Sequence, residues 1–255
     1  MLHLHPSRKR SAAAQARSRE LLASLNASHA NRHPRENELE TRLLNFELAG
    51  RRQLVASDVL DIARESQDTR RRYGLDNPPT AGYGMRCLLA RRLVEAGVRF
   101  VQVFPPATPD FQPWDSHSKL NKGLRKICGQ VEQPSAALIT DLKQRGLLDD
   151  VIVMWAGEFG RLPITEGTDG RDHNRHAFTL LMAGGGFKPG WTYGTTDEFG
   201  YKVVEDRVSV PDLHATILHQ LGIDHRRLDY THLGRPERLT DPDVTGARVV
   251  DELLT

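Results

Sequence analysis

Three clusters of acidic and imidazole side chains stand out, each beside an apolar run. They are Trp114-Asp115-Ser116-His117, Gly157-Glu158-Phe159-Gly160-Arg161 and Gly170-Arg171-Asp172-His173-Asn174. Carboxylates and imidazoles brought to one place are what a divalent metal ion needs. Asp115 and His117 alternate in an extended segment, so both can reach one ion; equally, they can be a hydrogen-bonded loop pair. Glu158 follows the apolar run 151–156 with only Gly157 between them. A carboxylate so close to a buried strand requires a cation, a donor or water. A Glu158–Arg161 pair stabilising a turn answers that requirement as well as a metal does. Asp172 can orient His173. Arg171 and Arg175 have the planar fork that suits a phosphate or sulfate oxyanion. The alternative for residues 167–176 is a solvated loop. His214, in the first turn of a helix, is either a further imidazole donor or a histidine at the core margin.

The elements that must position these groups are legible from periodicity. Leu21, Leu22 and Leu25 mark a helix over 14–26. Leu39, Leu43, Phe46 and Leu54 mark a longer one over 37–64. Residues 84–96 read as a helix closed by Gly97, and 119–145 as a helix interrupted or kinked at Pro134. The runs 98–104, 151–156 and 178–183 read as strands, the second apolar throughout, as a strand covered on both faces would be. Ser209-Val210-Pro211-Asp212 reads as a capped helix start. Alternation of helix and strand from residue 84 predicts an α/β fold: a doubly wound, mostly parallel sheet with flanking helices. Residues 1–36 are expected to form a basic helical arm and linker, and 37–255 the α/β domain.

Composition narrows the function classes. The chain has 255 residues, 38% hydrophobic and 27% charged, with a net charge of +2. That charge is too small to argue for nucleic acid, although residues 1–35 hold seven Lys/Arg against Glu20 alone. No run approaches the roughly 18–20 apolar residues of a membrane span. There is no secretory h-region, so the expected location is the cytoplasm. Cys87 and Cys128 form no C-x-x-C pattern, which argues against a thiolate zinc site. No Gly-x-Ser-x-Gly elbow or phosphate-binding glycine loop is present, and no nucleophile is identified.

The segments Cys87-Leu88-Leu89-Ala90-Arg91-Arg92-Leu93-Val94-Glu95-Ala96-Gly97-Val98-Arg99-Phe100-Val101-Gln102, Trp114-Asp115-Ser116-His117, Trp155-Ala156-Gly157-Glu158-Phe159-Gly160-Arg161, Gly170-Arg171-Asp172-His173, Ala183-Gly184-Gly185-Gly186, Tyr193-Gly194-Thr195-Thr196-Asp197-Glu198-Phe199-Gly200 and Asp212-Leu213-His214-Ala215-Thr216 form a set. Together they resemble the DUF1501 family, a sulfatase-like family similar to the alkaline phosphatase superfamily. The resemblance implies an alkaline-phosphatase-like sheet, N-terminally incomplete, and a metal centre attacking phosphate or sulfate esters. The implied ligands are Asp115, His117, Glu158 and His173, with Asp172, Arg161, Arg171 and His214 around them. The implied ion is zinc, calcium or manganese, and the implied substrate a small anionic ester or a sulfated or phosphorylated glycan. Intact members are expected to be exported. The resemblance departs at Glu158-Phe159, where the superfamily carries Asp-His. The alternative function is a non-catalytic remnant that binds a partner or polyanion.

Overall fold

The computed structural model describes residues 11–32, 41–45, 58–105 and 114–255. The helices are α1 (Ala12–Arg32), α2 (Gln67–Arg72), α3 (Pro78–Glu95), α4 (Leu120–Gln144), α5 (Val210–Gln220) and α6 (Pro242–Thr245). The strands are β1 (Val153–Trp155), β2 (Gly160–Glu166), β3 (Gly170–Asn174), β4 (Leu181–Ala183), β5 (Thr195–Thr196), β6 (Val203–Glu205), β7 (Asp229–His232) and β8 (Arg235–Arg238). The chain forms two compact units, Met1–Thr69 with Leu88–Val103, and Arg70–Cys87 with Phe104–Thr255.

The doubly wound, mostly parallel sheet expected from the sequence is not present among the described residues. The described strands pair as four separate two-stranded antiparallel ladders, β1–β4, β2–β3, β5–β6 and β7–β8. The reason lies in the connections. A parallel pair needs a crossover, usually a helix, to bring the chain back to the same end. Between Trp155 and Leu181 the chain contains the β2–β3 hairpin and no helix, so β4 returns antiparallel to β1. Nor is that pair covered on both faces: Met154, Trp155 and Leu181 are each about half exposed. Residues 98–104 form no strand, and Phe100 is 76% exposed. β-branched and aromatic composition favours an extended chain but supplies no partner for its backbone.

The helices follow their periodicity more closely. α1 extends beyond the expected 14–26, into what read as linker, and leaves Leu21, Leu22 and Leu25 exposed. The helix expected over 37–64 lies largely outside the described residues; 41–45 and 58–60 are helical, and Ile62–Arg64 is a 3-10 turn. In α4, Ile127, Val131, Pro134 and Leu142 are buried, and the helix continues through Pro134. Proline deprives one turn of its hydrogen bond, but burial of the apolar face on both sides holds the helix together. Tyr73 Oη donates to Asp141 Oδ2 of α4 at 3.0 Å. Neither cysteine is in a disulfide; Cys87 is buried, which pushes its thiol up to about 12.

In the first unit, Glu65 gathers two cations. Its Oε2 lies 2.8 Å from Arg91 Nη2, and its Oε1 accepts from Arg92 Nη1. Arg91 also meets Glu95 at 2.5 Å, and Arg92 donates to the carbonyl of Val59 at 2.6 Å. In the second unit, α5 begins as its sequence predicts. Ser209 and Asp212 form a reciprocal capping box. Asp212 Oδ1 also accepts the Arg248 backbone N–H at 2.9 Å, and Thr216 Oγ1 accepts that of Val250 at 3.0 Å. These bonds tie the C-terminal segment to the helix.

Candidate metal centre

The site is built on the β2–β3 hairpin. Its register pairs Gly160 with Asn174, Arg161 with His173, Thr165 with Arg171 and Glu166 with Gly170. Arg161 and His173 are therefore cross-strand neighbours at its base, and Glu166 stands at its turn. Between the second and third of these pairs β2 takes four residue steps and β3 two. Pro163 lies in this irregularity, where a missing N–H does not break a ladder. Residues 167–176, expected as a loop, are thus partly a strand.

The Asp115–His117 segment docks on this hairpin through its backbone. Arg171 N–H donates to the Ser116 carbonyl at 3.0 Å, and Lys119 N–H to Asp169 Oδ1 at 2.7 Å. The approach is close enough that a Cβ on Gly170 would lie 1.9 Å from the His117 carbonyl oxygen. Gly160 has the same role at the other end, where a Cβ would lie 2.0 Å from the Ala177 carbonyl oxygen.

Three side chains meet as a result. One ligand atom from each of Asp115, His117 and His173 lies within 4.8 Å of the others. Asp115 Oδ1 is the hub, 3.0 Å from His117 Nε2, 3.1 Å from His173 Nε2 and 2.9 Å from Arg161 Nη1. The hydrogen bond from His173 lowers the Asp115 carboxyl against burial, which raises it, and Arg161 and His117 lower it further. His117 Nδ1 faces Glu166 Oε2 at 2.5 Å. That bond raises the His117 pKa above the ordinary imidazole value, with Asp115 adding to it. His117, Glu166 and Asp172 form a second group of donor atoms within 4.8 Å of one another, so His117 belongs to both.

Aromatic rings complete the surroundings. The Phe159 ring centroid is 4.2 Å from that of His173, and the Arg161 guanidinium lies 5.5 Å from the Phe159 centroid. Trp114 packs edge-on against Trp155 at 5.6 Å. Trp114 also has φ of 76°, an uncommon conformation for a bulky residue, and its carbonyl accepts from Arg161 Nη2 at 3.0 Å.

Of the sequence-predicted ligands, Asp115, His117 and His173 come together. Glu158 is exposed and belongs to neither donor group among the described residues. Asp172 Oδ1 accepts the His173 backbone N–H at 2.6 Å, besides joining the second group. Arg161 binds Asp115 and Trp114, not Glu158. Arg171 donates to the Gly170 carbonyl at 2.7 Å. His214 is half-buried in the first turns of α5 and belongs to neither donor group. Sequence reasoning missed Glu166. Its signal was the turn Gly167-Thr168-Asp169 between two extended segments, which places Glu166 beside the hairpin end.

The donor set fits a divalent ion. Two imidazoles and one carboxylate suit zinc or manganese, whereas calcium takes six to eight oxygens. A cavity of about 430 Å³ lies elsewhere, lined by His219, Asp224, His225 and Arg226 among others, and contains none of the trio. No helix among the described residues is long and apolar enough to cross a membrane.

A family model described as a protein of unknown function (DUF1501) matches residues 1–254 of the chain. No curated protein and no solved structure matches the chain.

Proposed function

The chain belongs to the DUF1501 family, and within that membership we propose that it is a divalent-metal-dependent hydrolase of phosphate or sulfate monoesters. One observation carries the reading: Asp115, His117 and His173, drawn from two segments far apart in sequence, present their donor atoms to one another on the hairpin. When bound there, a divalent cation supplies Lewis acidity toward the ester oxygens. Glu166 holds the Nδ1 side of His117 and thereby fixes which nitrogen faces the Asp115 carboxylate, as carboxylates behind metal-binding histidines do. The Phe159 ring packs against that of His173, with centroids 4.2 Å apart. Arg161 and Arg171 supply planar donors for an anionic substrate, such as a small ester or a sulfated or phosphorylated glycan.

The test is turnover of chromogenic phosphate and sulfate monoesters with added zinc, manganese or calcium. The proposal expects activity that a chelator abolishes and that Asp115→Asn and His173→Ala lose. Silence with every metal and both ester classes overturns it. A second reading, a non-catalytic protein that binds a partner or polyanion, is favoured by the Arg161–Asp115 ion pair, which already neutralises the carboxylate. That reading expects no turnover and unchanged folding on metal removal.

A further inference from the structure

Asp115 Oδ1 already has a cation. Arg161 Nη1 lies 2.9 Å from it, while Nη2 of the same guanidinium donates to the Trp114 carbonyl at 3.0 Å. The fork therefore grips two consecutive residues. It does so where Trp114 is held at φ 76°, so the grip maintains a backbone conformation that is otherwise unfavourable. A metal ion held by Asp115, His117 and His173 and this guanidinium seek the same carboxylate and carry charge of the same sign. Both cannot sit on Asp115 without repulsion. Arginine stays charged at any working pH, so protonation cannot relieve the competition. Nor is Arg161 confined to this place: its side chain is a quarter exposed, and it lies near the Phe159 ring.

We propose that Arg161 is an internal competitor for the metal: it occupies Asp115 in the metal-free protein and sets the affinity and selectivity of the centre by having to leave. This rests on the metal reading of the Asp115–His117–His173 site. A site that is competent only while Arg161 is away shows its intrinsic dissociation constant divided by that competent fraction. If Arg161 holds Asp115 in nine of ten molecules, removing it tightens metal binding about tenfold. The competition also selects against weakly bound ions, because only an ion with a strong claim on one carboxylate and two imidazoles displaces a guanidinium.

The experiment is titration of the full chain with zinc and with manganese, followed by calorimetry and by tryptophan fluorescence, to which Trp114 contributes from beside Asp115. Wild type is compared with Arg161→Gln and Arg161→Ala. Glutamine removes the charge and keeps an amide donor on a side chain two bonds shorter; alanine removes the donor as well, so the pair separates loss of the charge from loss of every polar group at residue 161. The expected result is binding about tenfold tighter in Arg161→Gln. The gain must vanish when Asp115→Asn is added, which ties it to the shared carboxylate. Circular dichroism checks that each variant is folded. Equal or weaker binding in folded Arg161→Gln, with wild type binding metal through Asp115, overturns the competitor role and leaves the metal reading standing. Absence of Asp115-dependent binding in wild type and in both variants overturns the two together. Misfolded Arg161→Gln also counts against the proposal, since it makes the guanidinium a structural brace.

Discussion

Gly170 and His117, far apart in sequence, are packed so closely that a single methyl group at residue 170 would lie 1.9 Å from the His117 carbonyl oxygen. The contact seats the segment carrying Asp115 and His117 directly on the hairpin. Gly170→Ala must therefore push residues 116–118 away from β3. The expected cost is about 1–3 kcal/mol, typical of overpacking, with loss of metal affinity. Gly129→Ala is the control: it lies inside α4 with nothing within 4 Å of the added carbon. Helix propensity makes it neutral or stabilising by about 0.5–1 kcal/mol. Denaturation midpoints and zinc titrations of the two variants read both effects.

Metal binding to the folded state must raise the melting temperature. At a free concentration of one hundred times Kd the gain is about 2.7 kcal/mol. Asp115→Asn, His117→Ala and His173→Ala should each lose most of that increment. Glu158→Gln should retain it, because Glu158 is exposed and outside both donor groups. Thermal shifts with zinc and manganese, with and without chelator, give the comparison.

In the metal-free protein His117 should titrate above an ordinary histidine, because Glu166 and Asp115 favour its charged form. The sign follows: its contribution to stability is complete below the unfolded-state value and disappears as pH rises through the folded one. Glu166→Gln should move the titration back toward the ordinary value, as read from the imidazole proton shifts in NMR spectra. An unmoved titration would detach His117 from Glu166.

Glu65 sets the acid limit of the first unit. Burial alone would raise its carboxyl, but hydrogen bonds from Arg91 and Arg92 outweigh burial and leave it below the usual range. A lowered carboxyl stabilises at pH above its unfolded-state value, and that contribution is lost as pH falls through the folded value. Acid unfolding of wild type should therefore steepen below about pH 4. In Glu65→Gln the Arg91 guanidinium, 2% exposed, loses one of its two carboxylates. Breaking a buried pair costs about 3–5 kcal/mol, and urea denaturation at neutral pH checks it.

Asp212→Ala removes one half of the capping box and the acceptor for the Arg248 N–H. A lost cap costs about 1 kcal/mol; here the C-terminal segment loosens as well. Faster amide exchange at Arg248 and Val250 than in wild type is the specific readout. Because hydrogen bonds from Ser209 and Arg248 outweigh burial and lower the Asp212 carboxyl, this support weakens only in acid.

What the sequence by itself determined is local. Capping at Ser209–Asp212, the helix ending at Gly97 and the helix over 119–145 follow from side chains within a few residues of one another, and each is present, the last without an interruption at Pro134. Asp115, His117 and His173 were legible as metal-type donors because their chemistry is intrinsic to the residue. The sheet was not legible. Which strands pair, and in which direction, depends on what lies between them, and the apolar runs 98–104 and 151–156 carried no information about partners. The contact of Glu166 with His117 and the hold of Arg161 on Asp115 were decided by the tertiary structure alone. A hairpin register and one close backbone contact at Gly170 bring these residues to Asp115 and His117 across about fifty intervening positions, and no local rule of sequence spacing reaches so far.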